Sequence, residues 1–448
     1  MRIEADFTKV TGRVKAMHGV GQPPMLGLNA EHLHYLEEAG IPYSRLHDVG
    51  GLMAGGMYVD IPNVFPDFEA DENDPASYNF PFTDAIITAL KKRGVEPVYR
   101  LGVTIENYAR VKAFRIFPPA DFGKWARICE HIIRHYNEGW ADGFHYAIRD
   151  WEIWNEADSG RFRNENSEMW RGTSQQFYDL YVTAATHLKQ CFGDSIRVGG
   201  YASCGFYDCR SIDPDCQGLD HEPTSQIEGF FAFAHEFLAY VRERHAPLDF
   251  FSWHSYASIA NTLAMADYVK RLLDKYGFGD VPDYLNEWNV CHDIHSRRTG
   301  RAAAQTLGMM LAMQKARPDM LNFYDARLNS CSQYGGLFNP DTWQPYLAYY
   351  AFMAFNEAYR LGNEVQTASD DEGVYVLGAT GQSRSVLLIA NTTDQPKRAT
   401  LALTGVQPDA FEAVMLNEDC DYRRRILHLA PDGTLAIPPQ TCLQLTFG

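Results

Sequence analysis

The run Asp150-Trp151-Glu152-Ile153-Trp154-Asn155-Glu156, residues 150–156, decides the fold. It is a short apolar, aromatic segment of the kind that forms a strand, and it follows a stretch of helical spacing. In that stretch Phe122, Trp125, Ile128, Cys129, Ile132, Ile133 and Tyr136 step by three or four residues and make one apolar stripe. The same unit recurs to either side. Strands are predicted at Val14–Val20, Tyr43–His47, Glu96–Leu101, Asp150–Glu156, Arg197–Tyr201, Phe250–Tyr256, Asp283–Asn289 and Leu321–Arg327, each followed by a helical stretch. Eight βα units predict an α/β fold of the (β/α)8 TIM barrel type.

Helix boundaries follow from the same reading. Ser225 and Glu228 have capping-box spacing ahead of Phe230, Phe233, Phe237 and Tyr240. Gly40, Gly94 and Gly277 stand where helices should stop, and the last helix is expected from about Tyr346 to Leu361, before Gly362. Beyond that point the pattern becomes short alternating segments: Val374–Leu377, Val386–Ile389, Ala413–Leu416, Ile426–Leu429 and Cys442–Thr446. The expected organisation is a barrel over residues 13–362 and a smaller C-terminal β-sandwich over 363–448, to which residues 1–12 add a strand. Two connections after predicted strands are long, Asp48 to Pro81 and Ser203 to Thr224, and in a barrel they wall the active face.

Chemistry enters at the ends of two strands. Asn155-Glu156 closes the fourth, and Asp283-Tyr284-Leu285-Asn286-Glu287-Trp288-Asn289 ends the seventh with a second carboxylate in the same layer. Barrel enzymes keep their reacting groups at these carboxyl ends. Two carboxyl groups facing each other across the mouth suit glycosidic bond cleavage, in which one protonates the leaving oxygen while the other meets the developing oxocarbenium ion from the opposite face. In a retaining enzyme they stand roughly 5–5.5 Å apart, too close for an intervening water. Glu287 is assigned the attack and Glu156 the proton transfers. Arg45 is read either as a substrate contact or as a structural partner of a barrel carboxylate, and Trp288 and Trp343 either as core or lid packing or as indole faces on which a sugar could stack.

Trp-Asn-Glu on the fourth strand with Glu on the seventh resembles clan A glycoside hydrolases, and within that clan family 39. The likeness extends to Arg45-Leu46-His47, Arg100-Leu101-Gly102, Trp151 to Glu156, His254 with Tyr256, and the trailing β-domain. It implies that Asn155 hydrogen-bonds the sugar 2-hydroxyl, that His47 and His254 line the glycone subsite, and that Tyr256 sits near Glu287. It also implies a retaining, β-xylosidase-like activity. Two positions depart from the family's usual pattern: Ala157 follows the acid where Pro is usual, and Asn286 precedes the nucleophile where Thr is common.

Composition bounds the partners. Hydrophobic residues make up 46% of the 448 and charged residues 22%, which is globular. Forty Lys and Arg against 57 Asp and Glu leave a net charge of −17, a field that repels nucleic acid and anionic membranes. The amino end, MRIEADFTKVTG, has no basic start followed by an apolar run, and the nine cysteines are scattered without metal spacing, so a cytoplasmic protein with free thiols is expected. No cofactor or metal is expected, and a homo-oligomer is compatible with the β-domain. The expected substrate is an oligosaccharide or glycoside cut at a terminal bond. An endo-acting glycosidase on a β-linked polysaccharide and a catalytically silent glycan-binding barrel stay open as alternatives.

Overall fold

A computed structural model describes residues 1–24, 30–48, 59–105, 115–160, 168–212, 216, 219–291, 293, 295–328, 334, 336–407, 412–425, 429, 430 and 432–448. The first strand, β1 (Arg2–Arg13), is followed by β2 (Ala16–Gly21), β3 (Tyr43–Leu46), β4 (Glu96–Leu101), β5 (Asp150–Ile153), β6 (Arg197–Ser203), β7 (Phe250–Ser255), β8 (Asp283–Trp288) and β9 (Met320–Phe323). Strands β2 to β9 are parallel neighbours in sequence order and close on themselves, with Val20 opposite Phe323 at the seam. This is the expected TIM barrel. Gly40, Gly94 and Gly277 have φ of 60°, 71° and 78°, the left-handed conformation that ends a helix without a Cβ clash. At Ser225 the hydroxyl accepts from Glu228 N at 3.2 Å, but the Glu228 carboxylate binds the Thr224 amide instead of the cap's own, so only half of the expected box forms.

The barrel interior is stacked in layers. Its lower end is plugged by Val98, Phe250, Tyr284 and Met320, with Phe250 stacked on Tyr284 at 4.6 Å. One layer higher the filling is polar: Arg45, Glu152, Ser252 and Asn286 are fully or almost fully buried and bonded to one another. A charge buried mid-strand is tolerable only when paired, and Arg45 is the cation that satisfies Glu152, through Nε at 2.8 Å and Nη2 at 2.7 Å.

After the barrel come β10 (Asn363–Ser369), β11 (Val374–Thr380), β12 (Ser385–Asn391), β13 (Lys397–Thr404), β14 (Glu412–Asn417), β15 (Cys420–Arg425), β16 (Thr434–Ile437) and β17 (Thr441–Phe447). With β1 they form one nine-stranded sheet in the order β15-β14-β17-β12-β11-β10-β1-β13-β16. The sheet folds over on itself. Phe7 on β1 and Phe447 on β17 stand four positions apart along it, yet their rings are 5.5 Å apart around a shared core of Ile3, Val365, Leu387 and Leu445. The sandwich-like core is thus made by one curled sheet. Of the expected segment Ile426–Leu429, residues 426–428 lie outside the described residues, as do 49–58 of the long connection after β3.

The helix Gly300–Lys315 is buried nearly all round, from Ala302 to Gln314. Its apolar residues need cover on both sides, which the barrel and the second sheet supply, and Gln305 Nε2 ties it to Thr392 O at 2.8 Å. No helix among the described residues is long and apolar enough to cross a membrane.

Candidate active site

The strand carrying Glu156 ends earlier than its sequence predicts. Hydrogen-bonded β5 stops at Ile153 because Trp154 takes φ 69° and Glu156 takes φ 46°, conformations that interrupt a ladder. The turn is held on both sides: Trp154 N donates to Leu101 O at 2.7 Å, and Glu156 N to Ala202 O at 2.9 Å. The Trp154 ring packs edge-on against Trp170 at 5.1 Å and its Nε1 donates to Met169 O at 2.8 Å, while Asn155 turns to Arg45, whose Nη2 donates to Asn155 Oδ1 at 2.6 Å.

A bulge sets the other carboxylate. Trp253 pairs with Leu285, but His254 pairs with Glu287, so β8 carries one extra residue there. The insertion lets two consecutive side chains reach the interior: Asn286 donates to Glu152, and Glu287 receives Arg45 Nη1 at 3.0 Å and Tyr256 Oη at 2.5 Å. Asn286, one of the two departures from the family pattern, therefore serves the polar floor of the barrel. The next residue, Trp288, alternates outward; it is fully buried against Phe323, which in turn packs on Phe352 of the outer helix Leu347–Leu361. Of its two sequence readings, the geometry is that of packing between barrel and helices, in place of a face open to a sugar.

Glu156, His254 and Glu287 converge. One ligating atom of each lies within 4.8 Å of the other two, which puts an oxygen of each carboxylate within that distance of the other. His254 is wedged between them, with Nδ1 2.8 Å from Glu156 Oε1 and Nε2 3.6 Å from Glu287 Oε2. Burial pulls its pKa down to about 4, against the field of Glu287, so the ring is neutral. Burial pushes Glu156 up to about 7, and Arg45 opposes the shift. Glu287 is also raised by burial, while Arg45 and the Tyr256 hydroxyl pull it back toward the ionised form. The pair thus has one member that keeps its proton near neutrality and one whose anion is held by two donors.

The other expected positions divide. Arg45 is 1% exposed and bonds Glu152, Glu287 and Asn155 at once, the pairing with barrel carboxylates that one of its two sequence readings expected. His47 lies at the end of β3 with Nδ1 accepting from Arg100 Nε at 3.1 Å and Nε2 3.1 Å from Asp48 Oδ1; an accepting Nδ1 puts the ring proton on Nε2. Trp343 is 44% exposed in the connection after β9, with its carbonyl bonded to His32 Nε2 at 2.7 Å. Four groups escaped the sequence reading: Glu152, Ser252, Asp48 and Asp158. Asp158 is fully buried, accepts from Ser203 Oγ at 2.7 Å and from Cys204 N, and is pushed by burial up to about 7. A sequence signal existed for Glu152, an acid in the middle of an apolar strand; Asp158 follows β5 in a turn that gives no such signal.

The second sheet and the barrel together match known architecture. A glucosidase from Croceicoccus marinus superimposes with a TM-score of 0.76 at 20% identity, over 100% of this chain and 98% of that one. A GH39 β-xylosidase from Caulobacter crescentus does so with a TM-score of 0.70 at 16% identity, over 100% and 99%. A β-xylosidase from Geobacillus stearothermophilus is 26% identical over 298 residues, 60% of this chain and 51% of that one, so this chain spans about half the length of that relative. Structural likeness at such identities speaks to the fold; the sequence carries the family. Residues 30–303, more than half of the chain and inclusive of both Glu156 and Glu287, match the family described as glycosyl hydrolases family 39, and to that family the chain belongs.

Proposed function

We propose that this chain is a retaining, exo-acting glycosidase of β-xylosidase-like specificity, with Glu287 as nucleophile and Glu156 as general acid and base. The observation that carries the reading is the approach of the two carboxylates to within 4.8 Å across the barrel mouth. An oxygen–oxygen approach of no more than 4.8 Å favours the close pair of double displacement, roughly 5–5.5 Å apart, over the 6.5–9.5 Å spacing that an inverting enzyme needs for its water.

The steps follow from the protonation states. Glu287, held as an anion by Tyr256 and Arg45, attacks the anomeric carbon as Glu156 gives its proton to the leaving oxygen. The glycosyl ester neutralises Glu287, the pKa of Glu156 falls, and Glu156 can then take a proton from the incoming water. Asn155 has its Oδ1 turned to Arg45, because a guanidinium only donates, which aims the amide NH2 as a donor for a sugar hydroxyl. Neutral His254, and His47 fixed by Arg100, suit the glycone side.

Two observations favour a terminal bond. The connection after β3 is tied down near the mouth, with Asp60 accepting from Arg100 Nη2 at 2.6 Å and from Thr104 N at 2.9 Å. The names of the Geobacillus and Caulobacter relatives also specify a β-xylosidase. The test is a panel of aryl α- and β-glycosides of xylose, arabinose, galactose, glucose and uronic acids, with product configuration followed by NMR. Turnover of the β-xyloside with a β-configured first product is expected. An α-configured first product would overturn retention, and turnover of β-linked polysaccharide without turnover of any aryl glycoside would overturn terminal action.

A further inference from the structure

A second cluster of coordinating side chains lies outside the barrel, on two packed helices. Glu130 belongs to the helix Phe122–Asn137, and His187 and Cys191 to the helix Ser174–Phe192, where their spacing of four sets them on one face. One ligating atom of each of the three lies within 4.8 Å of the others. His187 Nε2 is 2.6 Å from Glu130 Oε2 and 3.7 Å from Cys191 Sγ.

Both neighbours meet the same ring nitrogen. A Cys-His-Glu relay of the nucleophilic kind would need the thiol on one nitrogen and the carboxylate on the other, so that the ring could pass a proton between them. Here sulfur, nitrogen and oxygen surround a common point, as ligands of one ion do. The geometry points to a site for a divalent transition metal of the zinc class, with Glu130, His187 and Cys191 as three ligands and solvent as the fourth.

The distances suit that ion. Tetrahedral bonds of about 2.3 Å to sulfur and about 2.0 Å to nitrogen separate the two atoms by roughly 3.5 Å, close to the observed sulfur–nitrogen contact. The carboxylate oxygen must withdraw by under about 1 Å, a small turn about the soft terminal torsion of Glu130. A mixed thiolate, imidazole and carboxylate set selects zinc-like ions over magnesium or calcium, which take oxygen ligands. Water can complete the shell, because the His187 side chain is 29% exposed. The frame is stiff: Asp121 caps one helix through Lys124 N at 2.9 Å, and Thr173 and Gln176 form a reciprocal capping box on the other.

The experiment uses the full chain after chelator treatment, titrated with Co2+, whose bond to a thiolate gives a charge-transfer band in the near ultraviolet. One equivalent is expected to produce the band, Cys191→Ala to abolish it, and His187→Ala to weaken Co2+ binding by at least about tenfold. Zn2+ should raise the Tm of the parent chain and leave that of Cys191→Ala unmoved. Circular dichroism checks that both variants fold. Absence of the band at stoichiometric Co2+, or its persistence in Cys191→Ala, would overturn the site. Zn2+ taken up by Glu156, His254 and Glu287 would lower glycosidase activity in parent and variant alike, and gives no thiolate band.

Discussion

Two clusters in this molecule use nearly the same side chains for different ends. At the barrel mouth stand Glu156, His254 and Glu287 with Arg45; on the outer helices stand Glu130, His187 and Cys191 with Arg134, whose Nε donates to Glu130 Oε1 at 2.8 Å. The arginine side chain is 1% exposed in the first and 30% exposed in the second. Inside the barrel one guanidinium serves two carboxylates and an amide, and Glu156 is left to be pushed up to about 7 by burial. On the surface burial also raises Glu130, but hydrogen bonds from Arg134 and His187 outweigh it and hold the carboxyl below its ordinary value. The ratio of cations to carboxylates, together with access of water, decides whether such a cluster stores a proton or offers a stable anion to a metal.

The comparison breaks most visibly if the inner carboxylates prove dispensable. Glu287→Ala should lower kcat on an aryl glycoside by on the order of 10⁴-fold or more, since no other group can form the covalent intermediate. Single-turnover assays with the parent and the variant measure it; a loss under tenfold would remove Glu287 from the reaction. Glu156→Ala should cost roughly 10²–10⁴-fold, most for leaving groups that need a proton. Next in size is Arg45→Met, which strips the cation from Glu152 and Glu287 together and should cost about 3–5 kcal/mol of stability. Urea unfolding reads that loss directly.

The inner cluster was largely readable from sequence because its members end apolar strands, where a carboxylate has few structural excuses. All eight barrel strands were found within a few residues of their limits, since each is a short apolar run followed by a helical stripe. The second sheet was less visible. β10 (NEVQTAS) is half exposed with polar side chains on both faces and gives neither an apolar run nor a clean alternation, while β13 (KRATLALT) alternates only over Ala399, Leu401 and Leu403 behind two basic residues. The outer cluster was missed for a different reason: His187 and Cys191 are four apart on one helix, but Glu130 arrives from a neighbour that spacing cannot reveal. Trp288 follows Glu287 by ordinary alternation, so its outward packing was legible once Glu287 was placed inside the barrel.

Protonation sharpens the contrast further. Activity needs Glu156 protonated and Glu287 ionised, so kcat/KM should follow a bell whose basic limb falls near pH 7 and whose acidic limb lies above the ordinary carboxylate range. With Glu156→Gln and an activated leaving group the basic limb should vanish. Stability has a sign of its own. Glu156 rises from 4.5 to about 7, and Asp158 and Asp283 from 3.8 to about 7, so the folded chain holds protons that the unfolded chain releases. Their contribution is full below pH about 4 and is lost as the pH climbs through about 7. Tm should therefore fall between about pH 4 and 7, and Asp158→Asn should flatten that slope; a slope unchanged by the substitution would show that Asp158 does not hold its proton.

The smallest effect belongs to the outer arginine, and it isolates burial as the cause of the difference. Arg134 pairs with Glu130 and Glu138 on a helix surface, with its guanidinium 5.1 Å from the centre of the Phe192 ring. Solvent screens such pairs, and the methylenes of a substituted Met still cover Phe192, so Arg134→Met should cost under about 1 kcal/mol, several times less than Arg45→Met. Catalysis should not change. Co2+ should bind more tightly, because the substitution releases Glu130 Oε1 and removes a positive charge beside the ion's position. If Arg134→Met destabilised the chain as severely as Arg45→Met, local burial would not be what separates the two clusters; if it weakened Co2+ binding, Arg134 would be holding Glu130 in place for the metal instead of competing with it.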